Sequence, residues 1–314
     1  MTGGAGFIGF HTARALLGRG EEVTIVDNFN DYYNPNLKEA RVRVLTEEYR
    51  KMKVVRADIT DEKKMEEIFK EGKFDKVCHL AAQAGVRHSL EAPREYERNN
   101  VFGTLSILEQ CRRQGVKNLV FASSSSVYGD GSKIPYREDD RADKPISVYA
   151  VTKKANEEMA YTYHRLFGLN CTGLRFFTVY GPWGRPDMGV FQFMKRVAER
   201  EPIEVYNYGK MARDFTYVDD IVEGVAAALD KSFPYEIFNL ARGESVNLLD
   251  YIKEVEKNFG REAKKIMKEL PAGDMEVTSA DISKAREKLG YEPKVSVKEG
   301  VKRMVEWYKK YYEV

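Results

Sequence analysis

The chain has 314 residues, enough for one large domain or two smaller ones around a substantial core. Its 51 basic and 49 acidic side chains leave a net charge of +2, which gives no electrostatic reason to expect nucleic acid as a partner. No uncharged apolar run is long enough to span a membrane, and the glycine-rich opening lacks the basic and apolar regions of a secretion leader.

Glycines recur every three residues in Thr2-Gly3-Gly4-Ala5-Gly6-Phe7-Ile8-Gly9, and a helical pattern starts near Phe7 and ends at Gly18 or Gly20. Gly3, Gly6 and Gly9 allow a tight turn, a close backbone approach to a pyrophosphate, and a helix packed hard against a strand. The helix start would then offer free N–H groups to the phosphates. Glu22 to Val26 reads as a buried strand, and Asp27 stands at its tip. A carboxylate there accepts from both ribose hydroxyls of NAD and repels the 2′-phosphate of NADP. An aspartate opening an ordinary Asp27-Asn28 turn is the plainer alternative. The fingerprint ordinarily follows a strand, and Met1 stands where that strand's last residue belongs. Either a short strand has been cut off, or the sheet lacks its central strand and exposes two edges.

Lys53 to Ala57 reads as the next strand, followed by Asp58 and Ile59, which suit an adenine contact. Asp61 to Glu71 is a helix with an acidic start. Asp75 to Leu80 is a strand, and Leu80, Ala81 and Ala82 are small enough for a cofactor to pass close by. Glu95 to Gln114 is expected as one long helix. Asn118 to Ala122 is a strand running into the serines Ser123 to Ser126, where ligands collect at strand ends. Val148 to Phe167 is a long helix and Asn170 to Phe177 a strand. This alternation implies an α/β, Rossmann-like, doubly wound parallel sheet covered by helices on both faces.

The second half is less regular. It has turn-rich stretches at Tyr180–Arg185 and Leu270–Asp274, and helices at Phe191–Arg200, Val218–Leu229, Leu248–Phe259, Ile282–Leu289 and Val297–Tyr312. The expected division is a dinucleotide-binding domain over 1–177, with 215–241 returning to it. A smaller mixed α/β lobe is expected over 178–214 and 242–314. The cysteines Cys78, Cys111 and Cys171 are far apart in sequence and read as buried free thiols of a reducing, cytoplasmic compartment. No Cys or His pair has metal-ligand spacing, so no metal is expected.

Tyr149 and Lys153 are four residues apart on one helical face. An ammonium beside a phenol lowers the phenol's pKa, making Tyr149 a base near neutral pH. A serine hydroxyl at the end of the preceding strand can pass the proton to and from a substrate oxygen.

Taken together, TGGAGFIG, the strand-end Asp27, HLAAQAGVRHS, NNVFGT, SSSSVYG, YAVTK, RFFTVYGP and RDFTYVDD resemble the extended short-chain dehydrogenase/reductase family over the whole chain. The resemblance implies Tyr149 as base, Lys153 as ribose ligand and phenolate stabiliser, and Ser124, joined by Ser126, as hydroxyl partners. It implies tightly bound NAD, held by Gly3, Gly6, Phe7, Ile8, Gly9, Asp27, Asn28, Asn30, Asp58, Ile59, Leu80, Ala81, Ala82, Asn99, Phe176 and the catalytic pair. Arg213 falls where the family binds a nucleotide-sugar diphosphate, and a guanidinium fork suits that task. Helices Glu95–Gln114 and Val148–Phe167 match those that pair across the family's homodimer.

Related dehydratases carry an Asp-Glu pair before Val-Tyr-Gly, and uronate decarboxylases a glutamate; here Ser125 and Ser126 stand there, which implies simple epimerisation. The stretch Phe176 to Met188, with Asn30 to Tyr33 and Gln83 to Arg87, is similar to the UDP-glucuronate 4-epimerases. That similarity implies interconversion of UDP-glucuronate and UDP-galacturonate through a transient 4-keto sugar. The expected substrate set is Gln83, Arg87, Ser124, Ser125, Ser126, Tyr149, Thr178, Arg185 and Arg213. The alternatives are a UDP-glucose/UDP-galactose 4-epimerase, a UDP-glucuronate decarboxylase and a non-catalytic NAD-binding regulator.

Overall fold

A computed structural model describes residues 1–271 and 273–314. Helix α1 (Phe7–Gly18) leads through β1 (Val23–Asp27), α2 (Asn36–Glu48), β2 (Met52–Arg56) and α3 (Glu62–Gly72) to β3 (Lys76–His79). Two helical turns, α4 (His88–Glu91) and α5 (Pro93–Tyr96), and a π-helical turn over Glu97–Phe102 precede α6 (Gly103–Gln114). Then come β4 (Asn118–Ser124), a 3-10 turn over Ser125–Tyr128, α7 (Val148–Phe167) and β5 (Asn170–Phe176). The rest of the chain forms β6 (Thr178–Tyr180), α8 (Gly189–Glu199), β7 (Ile203–Val205), β8 (Ala212–Tyr217), α9 (Val218–Lys231) and β9 (Tyr235–Leu240). It ends with β10 (Ser245–Asn247), α10 (Leu248–Phe259), β11 (Lys265–Met267), α11 (Ser283–Leu289) and α12 (Val297–Tyr312).

The main sheet is parallel. β2 pairs with β1 on one side, and β3, β4, β5 and β9 follow one another on the other. Between the two halves, where the first strand was expected to be missing or truncated, Thr2 forms parallel bridges to both Val26 and His79. Thr2 N–H donates to the Cys78 carbonyl at 3.0 Å, and Gly3 N–H donates to the Val26 carbonyl at 2.8 Å. The two flanking edges are therefore joined at the end that faces the glycine turn.

Strand side chains alternate between two cores. Val120 and Leu174 join the cluster containing Phe10 and Leu16 of α1 and Ile221 and Val225 of α9. Leu119 and Phe121 join the cluster containing Ile68, Ile107 and Cys111. All three cysteines are free and buried.

The structure departs from the sequence expectation in three places. The long helix expected over Glu95–Gln114 is broken by the π turn, which places Asn99 and Asn100 one after the other beside the cofactor-side loops. Helix α2 was not expected. The lobe carries short strands the sequence did not signal: β6 and β10 flank β8, and β11 pairs with β7. Phe215 to Tyr217 accordingly lie in the lobe's sheet, while α9 and β9 pack on the main sheet. Of the turn-rich stretch 270–274, Ala272 lies outside the described residues. Among the described residues no helix is long and apolar enough to cross a membrane.

Candidate active site

A cleft of about 680 Å³ runs along the strand ends of the main sheet and under the lobe. At one end lies the glycine turn. Gly3 has φ +68°, and a Cβ on it would stand 2.6 Å from the Ala81 nitrogen. Gly6 stands at the N-cap of helix α1, and among the described residues no side chain caps the helix and no acid lies in its first turn. Its first N–H groups and positive dipole end are left for an anion.

Asp27 is buried at the tip of β1. One carboxylate oxygen accepts from Phe29 N–H at 2.9 Å and the other from Ala5 N–H at 3.2 Å. Lys38 of α2 approaches it to 3.5 Å and donates to the Asn30 side chain at 2.8 Å. Asn28 donates to Asp58 at 3.0 Å, joining the ends of β1 and β2. A glycine turn open to close approach, an uncapped helix start and a strand-tip carboxylate together match the diphosphate and ribose of NAD.

The reacting end is built where β4 meets α7. Ser147 caps α7 by accepting from Ala150 N–H at 3.1 Å, which fixes where the helix begins. Ser124 accepts from Ser126 N–H at 3.1 Å, leaving its own hydrogen for the Tyr149 phenol. Lys153 donates to the Ala122 carbonyl at 2.9 Å, and its Nζ stands 5.9 Å from the Tyr149 ring centre. Burial brings Lys153 down to about 8.

The four-residue spacing leads one to expect Lys153 to lower Tyr149 toward neutrality, and the structure corrects this. Burial raises the Tyr149 phenol, and the groups that oppose the rise are the Ser124 hydrogen bond and the Arg185 charge. Lys153 is turned to the Ala122 carbonyl instead.

Arg185 enters from the loop after β6. It is paired with Asp187, which also accepts from Tyr32 at 3.4 Å. Arg87 bridges to Asp274 at 2.9 Å, and its guanidinium lies 4.2 Å from the Tyr206 ring centre. Arg213, on β8, donates to the Ala212 and Glu276 carbonyls, each at 3.0 Å. Gln83 is buried and its Nε2 has no partner among the described residues, so one amide donor remains for a ligand. Asn100 holds Gln83 in place: it accepts from Gln83 N–H at 2.8 Å and donates to the Gln83 carbonyl at 3.0 Å.

Every residue singled out from the sequence lines this cleft, from Gly3 to Arg213. Lys38, Tyr32, Tyr206 and Asp274 line it as well and were not expected as site residues from the sequence. Lys38 sits on the unexpected helix and Tyr206 carries no motif, whereas Tyr32 lies in the Asn30 to Tyr33 stretch and Asp274 ends the 270–274 turn, neither of them expected there as a ligand. Among the described residues no cluster of acids, histidines and cysteines could hold a metal.

The model of the NAD dependent epimerase/dehydratase family matches residues 1–241. The UDP-glucuronate 4-epimerase of Thermodesulfobacterium geofontis is 45% identical over 315 residues, covering 100% of this chain and 97% of that one. A crystal structure of UDP-glucuronic acid 4-epimerase from Bacillus cereus, in complex with UDP-glucuronic acid and NAD, superposes with a TM-score of 0.92 at 35% identity, covering 99% of this chain and 98% of that one. UDP-glucose 4-epimerase of Thermotoga maritima, solved with UDP-glucose, superposes with a TM-score of 0.91 at 34% identity, covering 99% and 98%.

Proposed function

Because the chain belongs to the NAD-dependent epimerase/dehydratase family, we propose that it interconverts UDP-glucuronate and UDP-galacturonate, with NAD bound throughout. The observation that carries this reading is Arg185. Its guanidinium lines the same cleft as Tyr149, Ser124 and Thr178, so a positive charge stands at the reacting end, where a uronate carboxylate would lie.

Bound NAD supplies a hydride acceptor and donor for sugar C4, held by the glycine turn, Asp27 and Lys153. Tyr149 takes the 4-hydroxyl proton at its phenol oxygen, through or beside Ser124, holds it while the flat 4-keto sugar turns over, and gives it back to the 4-oxygen once the hydride has returned to the opposite face of C4. Arg87 and Arg213 hold the diphosphate. Ser125, Ser126 and Thr178 are uncharged, so none of them can take the C5 proton that a dehydration must lose. They can donate to the carboxylate and fix its orientation, which matters because oxidation at C4 makes a β-keto acid.

The test is to incubate purified protein with UDP-glucuronate and, separately, UDP-glucose, and to identify the products by mass and sugar analysis. UDP-galacturonate from the first, in preference to UDP-galactose from the second, is the expected result. Neither product, or a preference for the neutral hexose, rejects the reading.

The working unit is proposed to be a homodimer. Phe102 at the end of the π turn, Leu105 on α6, and Val151, Tyr161, Leu166 and Phe167 on α7 are exposed apolar side chains on the two segments that the family resemblance pairs across a dimer. Sedimentation of the NAD-loaded protein at twice the chain mass is expected; a monomer at micromolar concentration rejects it.

A further inference from the structure

The loop that carries Arg185 is held from behind by side chains of the cofactor-binding unit. Three consecutive carbonyls of that loop, at Pro182, Trp183 and Gly184, are each bonded this way. His11 of α1 meets the Pro182 carbonyl at 2.9 Å; a carbonyl only accepts, so His11 Nε2 carries the hydrogen. Arg41 of α2 donates to the Trp183 carbonyl at 2.6 Å and to the Gly184 carbonyl at 3.3 Å. The other terminal nitrogen of Arg41 donates to the Ala5 carbonyl, inside the glycine turn, at 2.9 Å, and to the Tyr33 hydroxyl at 2.8 Å.

Arg41 is fully buried, with a relative exposure of 0%. Among the described residues no carboxylate pairs with it, and its Nε has no partner. A buried guanidinium without a counter-charge is costly to keep. Its planar fork reaches two backbone segments in one rigid unit, the glycine turn and the Arg185 loop. Trp183 is locked on the outer side by aromatic packing, 5.5 Å from Phe10, 5.3 Å from Trp307 and 4.9 Å from Tyr311 between ring centres.

We propose that Arg41, assisted by His11, is a positioning residue that sets the place of Arg185 relative to the dinucleotide turn, and so governs recognition of the sugar's carboxylate. It rests on the reading of Arg185 given above. Neither residue lies in the cleft lining, so neither touches the ligands directly.

The test uses the NAD-loaded protein and calorimetric binding of UDP and of UDP-glucuronate to wild type, Arg41→Lys, His11→Phe and Arg185→Lys, with thermal stability measured alongside. Arg41→Lys is expected to weaken UDP-glucuronate roughly 10- to 100-fold, as for bonds to a charged donor, while UDP stays within about 3-fold. His11→Phe, losing a neutral bond, is expected to shift the same split by roughly 3- to 10-fold. Uniform weakening of both ligands, with or without lower stability, makes the residues merely structural and overturns the proposal. So does unchanged UDP-glucuronate binding in both variants while Arg185→Lys loses it. If Arg185→Lys also binds normally, the reading of Arg185 fails and takes the proposal with it. If Arg41→Lys does not fold, His11→Phe decides by the same criteria.

Discussion

Arg175 grips Glu157 with two parallel hydrogen bonds, at 2.8 and 2.9 Å, and both side chains are buried. Arg175 is the register partner of Ser123 on β4, and the Ser123 hydroxyl donates to the same carboxylate at 2.6 Å. On α7, Tyr149, Lys153 and Glu157 follow at four-residue intervals, so they form one stripe. Each meets a group at the β4 end: Ser124, the Ala122 carbonyl and Ser123 respectively. The ion pair thus fixes the register of the helix that carries the proposed catalytic pair. Glu157→Leu strands a buried guanidinium and should cost about 3–5 kcal/mol in urea unfolding. The double variant Glu157→Leu/Arg175→Met should recover most of that loss, because no buried charge is left unpaired. Equal losses in single and double variants would contradict this account.

The alkaline limb of activity should report Lys153. Burial holds its ammonium down at about 8, against an ordinary value of 10.5. The proposed ribose contact needs the charged form, so kcat/KM is expected to fall as pH rises through about 8. Stability should respond with the opposite sign. Between the two values the unfolded chain binds more protons than the folded one, so the contribution of this group grows as pH rises from 8 toward 10.5 and is lost as pH falls through 8. A pH–rate profile on NAD-loaded protein checks the first statement. Comparing unfolding of wild type and Lys153→Met across that window checks the second.

The sheet and most of the site could be read from the sequence because their signals are local. The glycine spacing, the strand-tip Asp27 and the Tyr149–Lys153 interval each describe one turn of chain. Helix α2 gave no such signal: its buried face holds Lys38 and Arg41 beside Leu37 and Leu45, so charges occupy positions where an apolar stripe would have marked the helix. The break at Glu97–Phe102 was equally silent, since a π turn keeps helical composition. The role of Arg185 against Tyr149 spans 36 residues of sequence, and the bonds of Arg41 to the loop behind it span 142 and 143, separations that no periodicity reports.

Gly9 tests the turn by size alone. A Cβ there would overlap the Gly3 carbonyl oxygen and press on the Gly4 Cα at 2.8 Å. Backbone on both sides cannot yield as a side chain would. Gly9→Ala should push the first turn of α1 off the glycine turn, a strain of about 1–3 kcal/mol, and weaken NAD roughly 10- to 100-fold. The nucleotide released on denaturing the purified variant, measured by its absorbance, gives the occupancy. Full retention of NAD would mean that the turn relaxes more easily than this geometry allows.

Thr178 carries the sharpest chemical prediction. It opens β6, beside the Phe176 end of β5, and lines the cleft with Arg185. During turnover the 4-keto uronate loses carbon dioxide whenever its C5–C6 bond aligns with the carbonyl π system, so the carboxylate must be held out of that alignment. Thr178→Val keeps the shape and removes the hydroxyl donor. A bond to a charged acceptor is worth about 1.5–3 kcal/mol, so UDP-glucuronate should bind roughly 10-fold or more weakly while UDP-glucose is unaffected. The freed carboxylate should also let a UDP-pentose and carbon dioxide appear among the products, and Thr178→Ser should suppress them. Product analysis by mass decides it. A valine variant that epimerises without any pentose would show that the guanidinium of Arg185 alone governs the carboxylate's orientation.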